Sequence, residues 1–440
     1  MLGHKGSSLP GLLALKIYPD ILKVLSSKLK RGIIAVTGTN GKTTTNNMIA
    51  DIMRFNNYKV ICNKDGSNMI SGVTTAFVLS ASFTGAFDYE YAVLEIDEAS
   101  FSKVTDYIQP EIVVVNNFFR DQLDRYGELD KTISVIQRAV KKLKNTLLVI
   151  NADDPLAVQV AFLNSNRTIY FGIAEKTTNE NNTVQQTREA RFCPLCKNRL
   201  RYDFYHYSQL GSYSCINCDF RRPNLNISAS EVNTSDKISA QIFDEKENFN
   251  IELNMTGLYN LYNALAASAV ARLKNIEISV IQKALFEYKT ADGRMEAFVL
   301  NGKPIFLNLV KNPTGFNEGI MILEAFKEIK NIFIAVNDND ADGLDISWLW
   351  DVDFEFLADK DNISNFICSG KRAEEMALRL KYAGVPVKKI KVIKDLKQAV
   401  DTTIIDNKKE ISCLFATYTV LWPVRRYIEA ALKNSKIKNC

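Results

Sequence analysis

Residues Ile33 to Thr45 read IIAVTGTNGKTTT. The apolar run Ile33–Val36 predicts a buried strand, the glycines at 38 and 41 break it, and a helix is expected from Lys42 onward. Strand, glycine-rich turn and helix N-terminus together form a phosphate cradle, because glycine lets backbone N–H groups turn toward an anion. Gly38, Thr39, Asn40 and Gly41 build the turn, Lys42 adds a mobile positive charge, and Thr43 or Thr44 can place a hydroxyl on a phosphate-bound Mg²⁺. The pattern departs from the P-loop form G-x4-G-K-S/T, since Val36 stands where its first glycine belongs. The bland alternative is a strand-to-helix turn with an exposed lysine.

The surrounding chain has 440 residues, too many for one ordinary core, so two or three domains are expected. With 46% apolar and 24% charged residues it has a globular composition, and its longest apolar runs fall well short of the ~20 residues of a membrane span. The net charge of +5 comes without a dense basic block, which argues against nucleic acid and leaves an anionic or membrane-surface substrate open. Gly11–Ile17 is too short for a signal peptide and Asp20 follows it, so a cytoplasmic protein is expected. In that compartment eight cysteines, four of them in two C-x-x-C pairs, point to metal rather than disulfides.

Gly11–Lys30 carries apolar residues at helical spacing and reads as a packing helix. After the phosphate loop come a helix to Phe55, a strand at Tyr58–Cys62, a loop over Asn63–Gly72 and strands at Tyr91–Ile96, Ile112–Val115 and Thr146–Ile150. A helix is expected from about Lys131 to Leu143. This alternation predicts a mostly parallel sheet with ligands at the carboxyl ends of its strands. Those ends carry Glu95, Asp97 and Glu98 on one strand and Asn116, Asn117, Arg120, Asp121 and Asp124 after another. Rim carboxylates beside a phosphate loop suit Mg²⁺, with Glu95 the leading candidate; a solvated acidic loop with helix caps is the plain alternative.

Cys193-Pro-Leu-Cys196 and Cys215-Ile-Asn-Cys218 are separated by eighteen residues. Two such knuckles supply four thiolates in tetrahedral array, a zinc-ribbon pattern; redox dithiols are the alternative. With all four positions cysteine the site has no open coordination position, so the zinc is expected to be structural. Further on, Gly257 and Asn260 open an Ala-rich helix to about Leu273, and Asp292-Gly293-Arg294 is a turn presenting an arginine.

The segments GTNGKTTT, NNFFRDQLDRYGE, NADDP, GLYNLYNALAA and DGRMEAF, in this order, resemble the Mur ligases. With the four-cysteine insert and ADGLDISWLWDVDFE, the chain is similar over nearly its whole length to the branch that amidates lipid II. The resemblance implies an α/β fold: a Mur ligase-like central P-loop ATPase domain over 1–297 with a zinc ribbon inserted at 190–224, and a C-terminal Rossmann-like domain over 298–440 that docks a partner and closes the active site. It implies ATP, Mg²⁺ and Zn²⁺, with Lys42 and Thr43 on the phosphates and Mg²⁺, Glu95 at a metal, and Asn260 and Arg294 on the nucleotide. It also implies a heterodimer with a GatD-like glutaminase subunit, lipid II as substrate at the inner membrane face, and no nucleic acid. An aspartate of the acidic Asn337–Glu355 stretch would complete the partner's Cys-His triad, Asp351 first and Asp345 second, with Trp348 and Trp350 on the docking surface. Two departures stand out. Gln122 and Tyr126 replace the histidines of a Mur ligase motif, with Ile136 where a carbamylated lysine aligns, and Tyr259 replaces a histidine. Both favour the amidating branch over an amino-acid-adding one.

The C-terminal third is expected to hold strands at Ile305–Val310, Ile332–Val336, Phe366–Cys368, Ile390–Ile393 and Cys413–Ala416. The chemistry implied is activation of a carboxylate as an acyl phosphate, then attack by ammonia on the α-carboxyl of D-glutamate in the lipid II stem peptide. His4 and His206 are the only histidines and no Cys-His nucleophile is evident, so ammonia must come from elsewhere. The same-class alternative is a Mur or folylpolyglutamate-type ligase; the alternative of another class is a nucleotide-regulated zinc-ribbon scaffold.

Overall fold

The computed structural model describes residues 8–63, 67–82, 87–120, 129–162, 164–177, 189–234, 237–289, 295–324, 326–404 and 411–438. They fall into two compact units, one from 8 to 289 without Arg120, the other from 295 to 438 with Arg120.

The first unit is built on a nine-stranded sheet of order β11-β10-β9-β6-β5-β4-β1-β3-β2. Its strands are β1 (Gly32–Thr37), β2 (Val60–Cys62), β3 (Tyr91–Glu95), β4 (Ile112–Val115), β5 (Leu147–Asn151) and β6 (Thr168–Ile173), followed by β9 (Ile227–Asn233), β10 (Ile238–Phe243) and β11 (Asn248–Leu253); β7 (Leu200–Tyr207) and β8 (Leu210–Cys215) form a separate antiparallel hairpin. From β2 to β9 the sheet is parallel, and β10 and β11 finish it antiparallel. The parallel part is covered on both faces, which is why its strands read as unbroken apolar runs. Ile34 and Val36 enter the core formed with helices Lys42–Phe55 and Leu258–Leu273, while Ile33 and Ala35 enter the core formed with helices Ile70–Ser80 and Leu129–Lys142. The Ala-rich stripe of Leu258–Leu273 is buried from Asn260 to Ala271, as its composition predicts.

The second unit carries a six-stranded sheet, β12-β13-β17-β14-β15-β16, made of β12 (Glu296–Leu300), β13 (Lys303–Leu309), β14 (Lys330–Ala335), β15 (Ile363–Ser369), β16 (Ile390–Val392) and β17 (Ile411–Ala416). The five parallel strands fall where the sequence places them. β12 is an addition, joined antiparallel to β13 through Asn301-Gly302, both with positive φ. That dipeptide is a strong hairpin signal and could have revealed the strand.

Two helical expectations need correction. Gly11–Lys30 is not one helix but two, Leu9–Ile17 and Ile21–Ser26, because Tyr18 precedes Pro19 and is driven to extended φ/ψ. The expected loop Asn63–Gly72 gives way to helix at Ile70.

Candidate active site and metal centre

The register of the sheet assembles the site. β1 lies between β3 and β4, with Val36 opposite Glu95 and Thr37 opposite Val115, so both acidic and amide-bearing strand ends flank the glycine-rich turn. Gly38 has φ +119°, and a Cβ there would stand 2.8 Å from the Asn117 carbonyl. Gly41 has φ +79°, and its Cβ would meet Asn263 Oδ1 at 2.1 Å. Both positions demand glycine for backbone conformation and for space. Asn117 holds the turn: its carbonyl accepts from Thr39 N at 2.8 Å and its Oδ1 from Asn40 N at 2.9 Å. Thr39 Oγ1 donates to the Phe119 carbonyl and accepts from Phe119 N, each at 3.1 Å.

Lys42 is buried and folds back over the turn. Its Nζ donates to the Gly38 carbonyl at 2.7 Å and to Glu98 at 3.1 Å, and Glu98 is buried as well. Thr43 Oγ1 donates to Glu95 Oε2 at 2.7 Å, and Asn68 Nδ2 to Glu95 Oε1 at 2.9 Å. Asn63 fixes the Glu95 backbone from both sides, at 2.9 and 2.8 Å. Thr44 is buried behind the turn. Asn260 donates to the Thr256 carbonyl at 2.7 Å and accepts from Asn263, whose Oδ1 takes the Thr45 hydroxyl at 3.1 Å; this ties the two helices together. Thus Gly38–Thr44 and Glu95 form one constellation, with the Asn260 helix bonded to it. Arg294, Asp121, Gln122, Asp124 and Tyr126 lie outside the described residues. Glu98 and Asn263 take larger structural parts than sequence reasoning assigned them, because only the fold reveals which side chains face Lys42 and Thr45.

This arrangement fits a nucleotide phosphate with its Mg²⁺. The N-cap Gly41 offers no side chain, which leaves the first-turn N–H groups of the helix without a side-chain cap. Thr37 Oγ1, Ser67 Oγ and Asn116 Oδ1 are buried without hydrogen-bond partners in the structure.

Behind the site lies a second polar cluster. Asp153 accepts from Arg222 Nε at 2.6 Å, from the Tyr262 hydroxyl at 2.7 Å and from Ile173 N at 2.9 Å. His206 is buried 3.7 Å from Asp153 and bonds Thr177 at 2.9 Å, which accounts for it without a cysteine partner. Asp154 accepts from Phe118 N at 2.6 Å and Leu156 N at 3.0 Å, yet burial pushes its carboxyl up to about 7. The folded chain therefore holds a proton that the unfolded chain releases near pH 4, so this contribution to stability is full below about pH 4 and is lost as pH rises through about 7. Thermal melts of Asp154→Asn are expected to show a flatter pH dependence across that window; an unchanged slope would exclude Asp154 as its source.

The four cysteines converge. Cys193 and Cys218 sulfurs lie 3.6 Å apart, Cys196 and Cys215 3.4 Å, and all four within 4.8 Å of one another. A tetrahedral site with metal–sulfur bonds of ~2.3 Å has sulfur–sulfur edges of ~3.8 Å, so the group can hold a metal ion. The module has no core of its own: Leu200, Tyr213 and Phe220 join the core of the first unit. At the far end of the hairpin, Gln209 Nε2 donates to the Phe118 carbonyl at 2.5 Å.

In the second unit the acidic stretch is mostly committed to local bonds. Asp338 pairs with Arg372 at 2.6 Å, Asp342 accepts from Thr419 N at 2.7 Å, Asp345 from Ser347 N at 2.8 Å, and Glu355 pairs with Arg379 at 2.9 Å. Asp353 bonds Asn317 at 3.0 Å, and burial, reinforced by Glu355, raises it to about 6. Asp351, at the end of the 3-10 turn Ser347–Asp351, is partly exposed and accepts from Arg120 Nη1 at 3.0 Å. Of the two tryptophans expected on a docking surface, only Trp350 is exposed; Trp348 is buried beside Phe316, because the 3-10 turn directs it into the core.

Comparison with known proteins agrees with this architecture. The Mur ligase middle domain model matches residues 36–271 and the MurT ligase C-terminal model residues 309–421. The lipid II isoglutaminyl synthase (glutamine-hydrolyzing) subunit MurT of Staphylococcus aureus (strain COL) is 36% identical over 435 residues, covering 99% of this chain and 95% of that one. The subunit of the same name from Streptococcus pneumoniae (strain ATCC BAA-255 / R6) is 36% identical over 428 residues, covering 96% and 92%. Among solved structures, a pseudomurein peptide ligase type C from Methanothermus fervidus shares the fold at TM-score 0.70 and 22% identity, over 92% of this chain and 80% of that one. A nucleotide-type cradle inside this sheet order, together with near full-length likeness, places the chain in the Mur ligase family, among its MurT subunits.

Proposed function

We propose that this chain is the ATP-dependent synthetase subunit of a lipid II isoglutaminyl synthase, a carbon–nitrogen ligase. The observation that carries the reading is the near full-length 36% identity to subunits named for that reaction, joined to an intact phosphate cradle. Substrate carboxylate oxygen attacks the γ-phosphorus of ATP, ADP departs, ammonia attacks the acyl carbon and phosphate leaves, giving D-isoglutamine from the α-carboxyl of D-glutamate. Activation is needed because a carboxylate repels nucleophiles and has no good leaving group. Mg²⁺, when bound, offsets phosphate charge; Thr43 and Glu95, already joined at 2.7 Å, are the residues that would hold it. Lys42 would leave the Gly38 carbonyl for the phosphates, with Glu98 keeping its ammonium oriented. Asn260 and Arg294 are assigned to the nucleotide. The four thiolates are assigned to one structural Zn²⁺.

Ammonia would come from a GatD-like glutaminase subunit in a heterodimer, at the cytoplasmic face of the membrane. Among the described residues His206 is the one histidine and is engaged by Thr177, which supports an external nitrogen source. Position 136 carries a buried isoleucine, whose side chain has no amine to carbamylate, which weighs against an amino-acid-adding ligase. The test is lipid II in detergent with Mg-ATP, read by mass spectrometry of the muropeptide. Amidation with ammonium alone, and with glutamine only when the glutaminase is present, is expected; addition of an amino acid instead would overturn the reading.

Asp351 is assigned to the partner's Cys-His triad. Asp351→Asn is expected to lower glutamine-driven turnover on the order of a hundredfold or more while sparing ammonium-driven turnover. Equal losses with both nitrogen sources would remove it from the triad.

A further inference from the structure

We infer that the N-terminal helix pair is a membrane-resting surface that meets an anionic lipid bilayer. The inference rests on the lipid-linked substrate proposed above.

Helix Leu9–Ile17 is apolar almost all round, yet it buries only one side. Gly11 is the point of closest approach: a Cβ there would stand 2.0 Å from the Ser71 carbonyl, and its N–H donates to Thr75 Oγ1 at 2.8 Å on helix Ile70–Ser80. That close crossing leaves Leu9, Leu13 and Ile17, spaced i, i+4, i+8, along one exposed stripe at 57%, 50% and 85% of full accessibility, with Leu12 beside it. Three leucines and an isoleucine at the surface of one short helix exceed what the scattered apolar residues of a soluble surface require.

The charge around the stripe selects the partner. From Leu9 to Leu29 the basic residues are Lys16, Lys23 and Lys28, all exposed, against Asp20 as the single acid. Apolar side chains flanked by lysines are the composition that seats a helix at the headgroup boundary of an anionic membrane, the leucines in the acyl edge and the ammonium groups on lipid phosphates. Among the described residues no helix is long and apolar enough to cross a membrane, so this contact would be peripheral.

The surface also leads to the catalytic rim. Met69, 52% exposed, immediately precedes the helix that receives Gly11, and its neighbour Asn68 donates to Glu95. The helix that receives Gly11 thus begins at the segment that reaches the acidic rim, so a lipid-anchored substrate meets the rim beside the proposed membrane-facing pair.

The experiment uses the full chain with its glutaminase subunit and two sets of vesicles, pure phosphatidylcholine and phosphatidylcholine mixed with phosphatidylglycerol, read by co-sedimentation. Wild type is expected on the anionic vesicles, and Leu13→Glu with Ile17→Glu is expected to reduce partitioning on the order of tenfold or more. Leu13 is half exposed and Ile17 almost wholly so, and the variant should therefore keep its melting temperature to within a few degrees and its amidation of lipid II dispersed in detergent. Lys16→Gln with Lys23→Gln should weaken binding to anionic vesicles and lessen its salt dependence. Equal partitioning of wild type and the Glu variant would overturn the inference. So would light scattering in which the Glu substitutions dissolve a dimer, since a second copy would then be the occupant. Loss of detergent-phase amidation in wild type would instead count against the functional reading, independently of the vesicle result.

Discussion

Lys42→Met is expected to abolish ATP-dependent amidation, by at least on the order of a thousandfold, while the glutaminase subunit still binds. The expectation follows from what Lys42 touches. Its ammonium is buried, bonded to the Gly38 and Thr39 carbonyls of the turn and paired with Glu98 at 3.1 Å. Removing one member of a buried ion pair, however, typically costs about 3–5 kcal/mol by stranding the other charge. Lys42→Met alone could therefore lose activity by unfolding. The informative protein is Lys42→Met with Glu98→Gln, which removes both charges together. It is expected to recover most of the melting temperature of wild type and none of the turnover. Calorimetric titration with ATP supplies the second readout: the glycine turn and helix N-terminus remain, so weakened but measurable binding is expected. Turnover within tenfold of wild type in the double variant would remove Lys42 from the chemistry.

Stripping the metal, or replacing Cys193 and Cys215 by Ser, is expected to lower the melting temperature and to weaken ATP binding, although the cysteines touch no residue of the phosphate loop. One equivalent of zinc is expected in the purified chain. The first effect arises because the hairpin's Leu200, Tyr213 and Phe220 are part of the first unit's core; freeing them exposes large side chains worth ~1.5–3 kcal/mol each. The second arises along a continuous set of bonds. Gln209 at the hairpin turn donates to the Phe118 carbonyl, and the next residue, Phe119, exchanges two hydrogen bonds with Thr39 of the glycine turn. Tyr213 adds a bond to the Ala152 carbonyl beside the Asp153 cluster. Gln209→Leu isolates the second effect from the first: nucleotide affinity should fall with zinc content unchanged. If ATP affinity and melting temperature both survive removal of the metal, the ribbon is independent of the catalytic unit.

Much of this protein is legible in its sequence, for definite reasons. The strand, the two glycines and Lys42 are adjacent in the chain, so local conformational rules suffice to read them; positive φ at Gly38 and Gly41 is what those rules anticipate. The parallel sheet is legible because its strands are buried on both faces and therefore apolar without alternation. The two C-x-x-C knuckles carry their geometry in their spacing. The break at Tyr18 and the Asn301-Gly302 hairpin were missed, although local rules carry both: proline restricts its predecessor, and Asn-Gly favours a tight hairpin turn.

What the chain alone leaves open is every pairing between residues distant in sequence. Nothing near Lys42 announces Glu98, 56 residues on, and nothing near Thr45 announces Asn263, 218 residues on. Asp351 and Arg120 meet across 231 residues. The six other acids of the Asn337–Glu355 stretch look alike as sequence, yet five of them are occupied by Arg372, Thr419, Ser347, Asn317 and Arg379. Local propensity acts over a few residues and so determined the elements and the phosphate turn. The choice of partner for each buried charge was made by sheet register and helix packing, because only tertiary structure sets which strand ends lie side by side.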